Sequence, residues 1–225
     1  MEKYNKQDNM SAYQYLTPDK IQEYATAVTM KEPDLAAEIA HATRSELQYS
    51  EMLTGEIEGR LLNMLASVSG ARRILEVGLF TGYSAYMMAS ALPDNGTLIS
   101  LEMNERYRDI AERYLSRSEH WSKIEIKMGN ALQTIPQIEG SFDMMFLDAD
   151  KEHYPDYYDL LVPRLNTGGL LVVDNALWYG EVLQPDDRKA LAIDRLNRTI
   201  RDDGRVENVL LTVRDGIHLV RKITQ

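Results

Sequence analysis

Two short runs of this 225-residue sequence end apolar stretches in acids: Phe146-Leu147-Asp148-Ala149-Asp150-Lys151 and Val172-Val173-Asp174-Asn175. Asp148, Asp174 and Asn175 together offer two carboxylates and an amide oxygen. Such hard oxygen donors suit Mg²⁺, Mn²⁺ or Ca²⁺ and serve zinc or copper poorly. Three protein ligands leave about three octahedral positions open. Two adjacent substrate hydroxyls and a water would fill them, and a hydroxyl so held is more acidic. Lys151, three residues past Asp148, is placed to take its proton. Each residue alone reads more readily as a solvated strand end or a surface ion pair. The set points to a site.

A third run, Ile74-Leu75-Glu76-Val77-Gly78-Leu79-Phe80-Thr81-Gly82-Tyr83-Ser84, reads as a buried strand, a glycine turn and the start of a helix. In open α/β sheets ligands sit at the carboxyl ends of such strands. Gly78 permits close approach of a ligand and Gly82 permits the turn, while the helix amides and Ser84 can bind a carboxylate. Glu102, 24 residues after Gly78, closes the next strand and can accept both hydroxyls of a ribose. An adenosine-containing ligand is implied. NAD and FAD are not, because the third and sixth positions counted from Gly78 are Phe80 and Tyr83, where the dinucleotide fingerprint needs glycine.

The elements that must position these residues follow from periodicity. Helices are predicted from Pro18, from Pro33-Asp34 through Ala40, and over Glu56 to Val68, where Ile57, Leu61, Leu62 and Leu65 fall at helical spacing. Strands then alternate with helices: strands at 74–77, 97–101, 124–128, 143–147 and 170–173, helices at 84–91, 105–115, 154–165 and 187–200. Two closing β-rich runs, 206–213 and 217–223, flank Arg214-Asp215-Gly216 as a hairpin. The expected fold is α/β: a doubly wound, mostly parallel sheet with a helical extension over 1–70 and a core over 71–225, in one domain.

Composition narrows the function classes. With no cysteine there is no thiolate nucleophile, zinc-thiolate site or disulfide. A net charge of −10 repels phosphate backbones and disfavours nucleic acid. The opening fifteen residues are too polar for a signal peptide and no run of eighteen apolar residues occurs, so no membrane span and a cytoplasmic location are expected.

Read in order, Glu58-Gly59-Arg60-Leu61-Leu62, Leu75 to Ser84, Ser100-Leu101-Glu102, Phe146 to Lys151 with Tyr154, Asp174-Asn175-Ala176-Leu177-Trp178 and Asp215-Gly216 resemble the cation-dependent O-methyltransferases of the caffeoyl-CoA and catechol type. The resemblance runs from about Glu58 to Lys222. It implies a seven-stranded Rossmann-like sheet and transfer of a methyl group from S-adenosylmethionine to one hydroxyl of a catechol-like aromatic. A bound divalent cation, Mg²⁺ before Mn²⁺ or Ca²⁺, would be held by Asp148, Asp174 and Asn175, with Lys151 as base beside Asp148. The implied cofactor neighbours are Met52, Thr54, Glu76, Gly78, Phe80, Gly82, Ser84, Glu102, Met103, Ala131 and Asp148. Trp178 would lie beside the acceptor, and the chain would form a homodimer. Two positions depart from the pattern: Asn130 stands where the family often has Asp, and Arg214 stands where a small residue is usual, which would alter the substrate rim. Nothing near the amino terminus matches coenzyme A recognition, so a small catechol is expected rather than a thioester. Two rival readings are a methyltransferase for a hydroxylated tRNA base, which the acidic charge disfavours, and a non-catalytic cofactor-binding dimer, which gives no reason to keep both metal carboxylates and Lys151.

Overall fold

Apolar runs with few charges form strands that can be buried on both faces, and five of them make the parallel core of the sheet. The structure, a computed structural model, describes residues 16–224; the polar run 1–15 lies outside the described residues. The strands are β1 (Arg73–Val77), β2 (Thr97–Glu102), β3 (Ile124–Met128), β4 (Phe142–Leu147), β5 (Leu165–Val173), β6 (Val206–Leu211) and β7 (Ile217–Lys222). Their order is β3-β2-β1-β4-β5-β7-β6. The first five are parallel, while β7 runs antiparallel between β5 and the edge strand β6. The expected hairpin is therefore present, with its second strand inserted next to the core.

Side chains alternate across this sheet and build two separate cores. Ile74, Met144, Phe146 and Val172 face one way and pack with α2 (Asp34–Glu46), α3 (Glu56–Val68), α4 (Tyr83–Ala89) and α5 (Glu105–Leu115). Leu75, Val77, Met145, Leu147 and Val173 face the other way, against α7 (Tyr154–Leu161) and α8 (Arg188–Asp202). Each fully buried apolar side chain of this size contributes about 1.5–3 kcal/mol relative to exposure. The strands that carry the candidate site are thereby fixed on both sides. Among the described residues the remaining α-helices are α1 (Asp19–Val28) and the short α6 (Ala131–Thr134).

Element boundaries differ from expectation where local chemistry decides. Helix α7 stops at Leu161 because Pro163 cannot continue it, and a 3-10 turn, Val162–Arg164, leads directly into a β5 that begins at Leu165. Helix α2 runs on to Glu46. Helix α3 spans the expected residues but turns Glu58, Gly59, Leu62 and Ala66 fully inward, leaving Leu61 and Leu65 half-buried. Its inward face thus carries a charge, which apolar periodicity does not reveal. Among the described residues no helix is long and apolar enough to cross a membrane.

Candidate active site at the carboxyl ends of the strands

The sheet changes direction between β1 and β4, since β1 leads to β2 on one side while β4 leads to β5 on the other. Ligand crevices in open α/β sheets lie at such a point. Backbone bonds tie the strand ends together there: Gly78 N to Leu101 O at 3.1 Å, Asp148 N to Val77 O at 2.9 Å, and Asp174 N to Leu147 O at 3.0 Å. Gly78 has φ +106°, and a Cβ on it would lie 1.9 Å from the Asp148 carbonyl oxygen. Only glycine lets the first and fourth strand ends sit side by side.

On the β1 side, Phe80 N donates to Glu102 Oε2 at 2.9 Å, and the N–H groups of Met103 and Asn104 donate to Glu102 Oε1 at 2.9 Å each. Glu102 therefore organises both loops while its carboxylate stays at the crevice. Beneath it, the fully buried Glu76 accepts from the hydroxyls of Ser84 and Ser100. Burial pushes the Glu76 carboxyl up to about 8 despite those two bonds. Because the Ser84 hydroxyl is engaged with Glu76, what Ser84 offers an incoming carboxylate is its backbone N–H at the start of α4.

On the β4 and β5 side, Lys151 Nζ donates to Asp148 Oδ1 at 2.7 Å and to the Tyr154 hydroxyl at 2.6 Å. The buried Tyr154 hydroxyl in turn lies 3.3 Å from Leu147 O and 3.2 Å from Asp174 O, bridging the two strand ends. Asn175, with φ +56°, places its Nδ2 3.0 and 2.9 Å from the two oxygens of Asp215. Its amide oxygen is then turned away from Asp215. Asp174 is 2% exposed; burial first, then the carboxyls of Glu58 and Asp148, push its own carboxyl well above the usual range. Burial likewise raises Asp215 and lifts Glu58 to about 7, against the pull of Arg214.

This donor set fits a hard divalent cation. Asp148 and Asp174 contribute carboxylates and Asn175 an amide oxygen at neighbouring strand ends, donor types that suit such a cation. Among the described residues no group of three or more histidine, cysteine or acidic side chains could by itself hold a metal ion.

Comparison with known proteins supplies the family. The O-methyltransferase family model matches residues 25–223. The chain belongs to that family. It is 34% identical over 224 residues to caffeoyl-CoA O-methyltransferase 1 of Zea mays, covering 92% of this chain and 86% of the relative. With the Eucalyptus globulus enzyme of the same name it shares 35% identity over 212 residues, covering 88% and 86%. Among solved structures it resembles the O-methyltransferase TomG of Streptomyces achromogenes, crystallised with S-adenosylmethionine, at a TM-score of 0.83 and 28% identity, covering 91% of this chain and 96% of that one. The Bacillus cereus O-methyltransferase bound to S-adenosylhomocysteine gives a TM-score of 0.80 at 25% identity, covering 90% and 97%. The expected S-adenosylmethionine-dependent O-methyltransferase and its seven-stranded fold are thus met.

In this O-methyltransferase most of the expected residues gather at one edge of the sheet and the rest lie around it. Glu76, Gly78, Phe80, Ser84, Glu102, Asp148, Lys151, Asp174 and Asn175 line adjoining strand ends, and Gly82, with φ +87°, caps α4. Thr54 is buried on the segment before α3, and its carbonyl accepts from Arg214. Met52 and Met103 are largely exposed, on a 3-10 turn and just after β2, while Ala131 opens α6. Trp178 follows the Asp174-Asn175 turn, 5.5 Å from the Tyr179 ring and beneath Lys189 at 5.7 Å. Asn130 caps α6 by accepting from Leu132 N at 2.9 Å.

One expectation is corrected. Arg214 is not at the substrate rim: it is 6% exposed and turns inward, donating to the carbonyls of Leu53 and Thr54 and to Glu58. Site reasoning from sequence also missed Glu58, Tyr154, Asp215 and Asn197 as structural partners. Asn197 donates to Ala176 O at 2.7 Å and, through its oxygen, meets His218 Nδ1 at 2.9 Å, steadying the turn after Asn175. Their positions in quoted family segments were the available signal for Glu58, Tyr154 and Asp215. Asn197 gave none.

Proposed function

We propose that this O-methyltransferase methylates one hydroxyl of a small catechol-like aromatic, using S-adenosylmethionine and a divalent cation, Mg²⁺ first and Mn²⁺ or Ca²⁺ as substitutes. The observation that carries the reading is the meeting of Lys151, Asp148, Asp174 and Asn175 at the ends of β4 and β5, next to the glycine turn of β1. A cation held by Asp148, Asp174 and Asn175 would supply Lewis acidity, lowering the pKa of a bound hydroxyl.

The protein's own groups do the rest. Glu102 presents a carboxylate, already held by three backbone N–H groups, to the ribose hydroxyls of the methyl donor. The α4 amides face its carboxylate end. Lys151, as the free amine, takes the acceptor's hydroxyl proton on Nζ. The oxygen so exposed bonds to the methyl carbon while the carbon–sulfur bond breaks and its electron pair stays on sulfur, leaving S-adenosylhomocysteine. Tyr154 and Asp148 hold Nζ for this transfer, and Trp178 offers an aromatic face to the acceptor ring.

The names of the plant relatives support the acceptor class, because a caffeoyl group is a ring with two adjacent hydroxyls. The reading extends to a homodimer, whose test is a mass measured by light scattering. The substrate is tested by comparing catechols with their monohydroxy analogues under identical conditions. A monohydroxy analogue turned over as fast as the catechol would remove chelation from the reading.

A further inference from the structure

Glu58 is one of the fully buried acids around the site. Its side chain is fully buried on the inward face of α3. Oε2 is engaged by the Arg214 guanidinium, which also grips the carbonyls of Leu53 and Thr54. Oε1 is buried with no hydrogen-bond donor. Asp174 is among the groups that act on the Glu58 carboxyl. Asp148 also acts on it electrostatically.

A buried oxygen left without a donor costs roughly 1–3 kcal/mol, more when charged. Two carboxyls do not face each other in a protein interior without something positive between or beside them. Arg214 engages Oε2 and holds the side chain, which leaves Oε1 without a donor. What Oε1 lacks is a donor, and the acids that act on the same carboxyl are the proposed cation ligands Asp148 and Asp174.

Resting on the cation site proposed above, we propose that Glu58 is an outer ligand of that site: Oε1 accepts a hydrogen bond from a water on the cation held by Asp148, Asp174 and Asn175. Arg214 is then a positioning residue. It fixes Glu58 and ties the Leu53-Thr54 segment on the cofactor side to the Arg214-Asp215-Gly216 turn, whose Asp215 holds Asn175. The departure at position 214 thereby acquires a role in metal binding.

The test is direct titration of Mn²⁺ into the purified protein, following the free-ion electron paramagnetic resonance signal, with S-adenosylhomocysteine affinity and thermal unfolding measured in parallel. Glu58→Gln should weaken Mn²⁺ binding by roughly 10–100-fold, the usual effect of removing an outer partner, while S-adenosylhomocysteine binds as before. Glu58→Asp, which keeps the charge but draws it back, should fall between. Should Glu58→Gln fail to fold, Glu58→Asp carries the test alone. Native-like Mn²⁺ affinity in a folded Glu58 variant overturns the inference while leaving the cation site standing. Absence of Mn²⁺ binding by the native protein overturns the site and the inference together.

Discussion

Lys151 Nζ stands between Asp148 Oδ1 at 2.7 Å and the Tyr154 hydroxyl at 2.6 Å, and that same hydroxyl reaches the backbone carbonyls that end β4 and follow β5. The proposed base is therefore anchored to the two strands that carry the proposed metal ligands. Movement of either strand end would move the base.

Removing the base and removing its anchor should give different kinetics. Lys151→Ala is expected to lose about 10²–10⁴-fold in kcat, the usual value of a positioned general base. The deficit should shrink at high pH, where the acceptor ionises unaided. Tyr154→Phe keeps the amine and loses one charge-assisted bond, so a fall in kcat of about 10- to 100-fold is expected. Steady-state kinetics across pH checks both; a Lys151→Ala deficit that does not change with pH would contradict the role.

Glu102 accepts from three backbone N–H groups of the protein itself. Glu102→Ala should therefore both weaken S-adenosylhomocysteine binding, by about 1.5–3 kcal/mol per ribose bond lost, and lower thermal stability. Calorimetry and thermal unfolding separate the two effects. Native affinity in the variant would take Glu102 out of the cofactor site.

Glu76 makes a pH prediction with a definite sign. Its carboxyl, ordinarily near 4.5, is raised to about 8 by burial, so the folded state holds a proton that the unfolded state has lost across that window. Its contribution to stability is full below 4.5 and is lost as pH rises through about 8. Glu76→Gln, neutral at every pH and still able to bond both serines, should gain on the native protein by up to about 1.4 kcal/mol per pH unit in that range. Denaturant unfolding at several pH values reads this; a constant difference between the two proteins would show that Glu76 does not titrate there.

Gly78→Ala should be severe, because the new methyl would meet the Asp148 carbonyl at 1.9 Å in a backbone conformation that disfavours side chains. Loss of both stability and cofactor binding is expected by calorimetry. Full retention of cofactor affinity would mean that the two strand ends need not be adjacent.

Why some of this was legible in the sequence and some was not has a physical reason. The parallel strands are continuous apolar runs because both faces are covered, and Pro18, Pro33 and Gly82 mark helix starts by backbone constraints that act locally. The acids ending β4 and β5 stand out for the same reason, as charges closing apolar runs. What depends on contact between distant segments left no local trace. The Glu58 to Arg214 pair spans 156 residues, and an arginine in a turn reads as a surface residue until its buried partner is seen. Likewise α3 hides Glu58 on its inward face, and α7 ends early at Pro163, one turn short of the helix that periodicity alone suggested.

The measurement that bears most directly on the central claim is catechol turnover after exhaustive chelation, with the metal content of the same sample determined. If Asp148, Asp174 and Asn175 hold a cation that the chemistry needs, the chelated enzyme should be inactive, and Mg²⁺ or Mn²⁺ should restore its rate. Asp174→Ala should not be restored by either ion. A full rate of catechol methylation by protein shown to contain no metal would contradict the account.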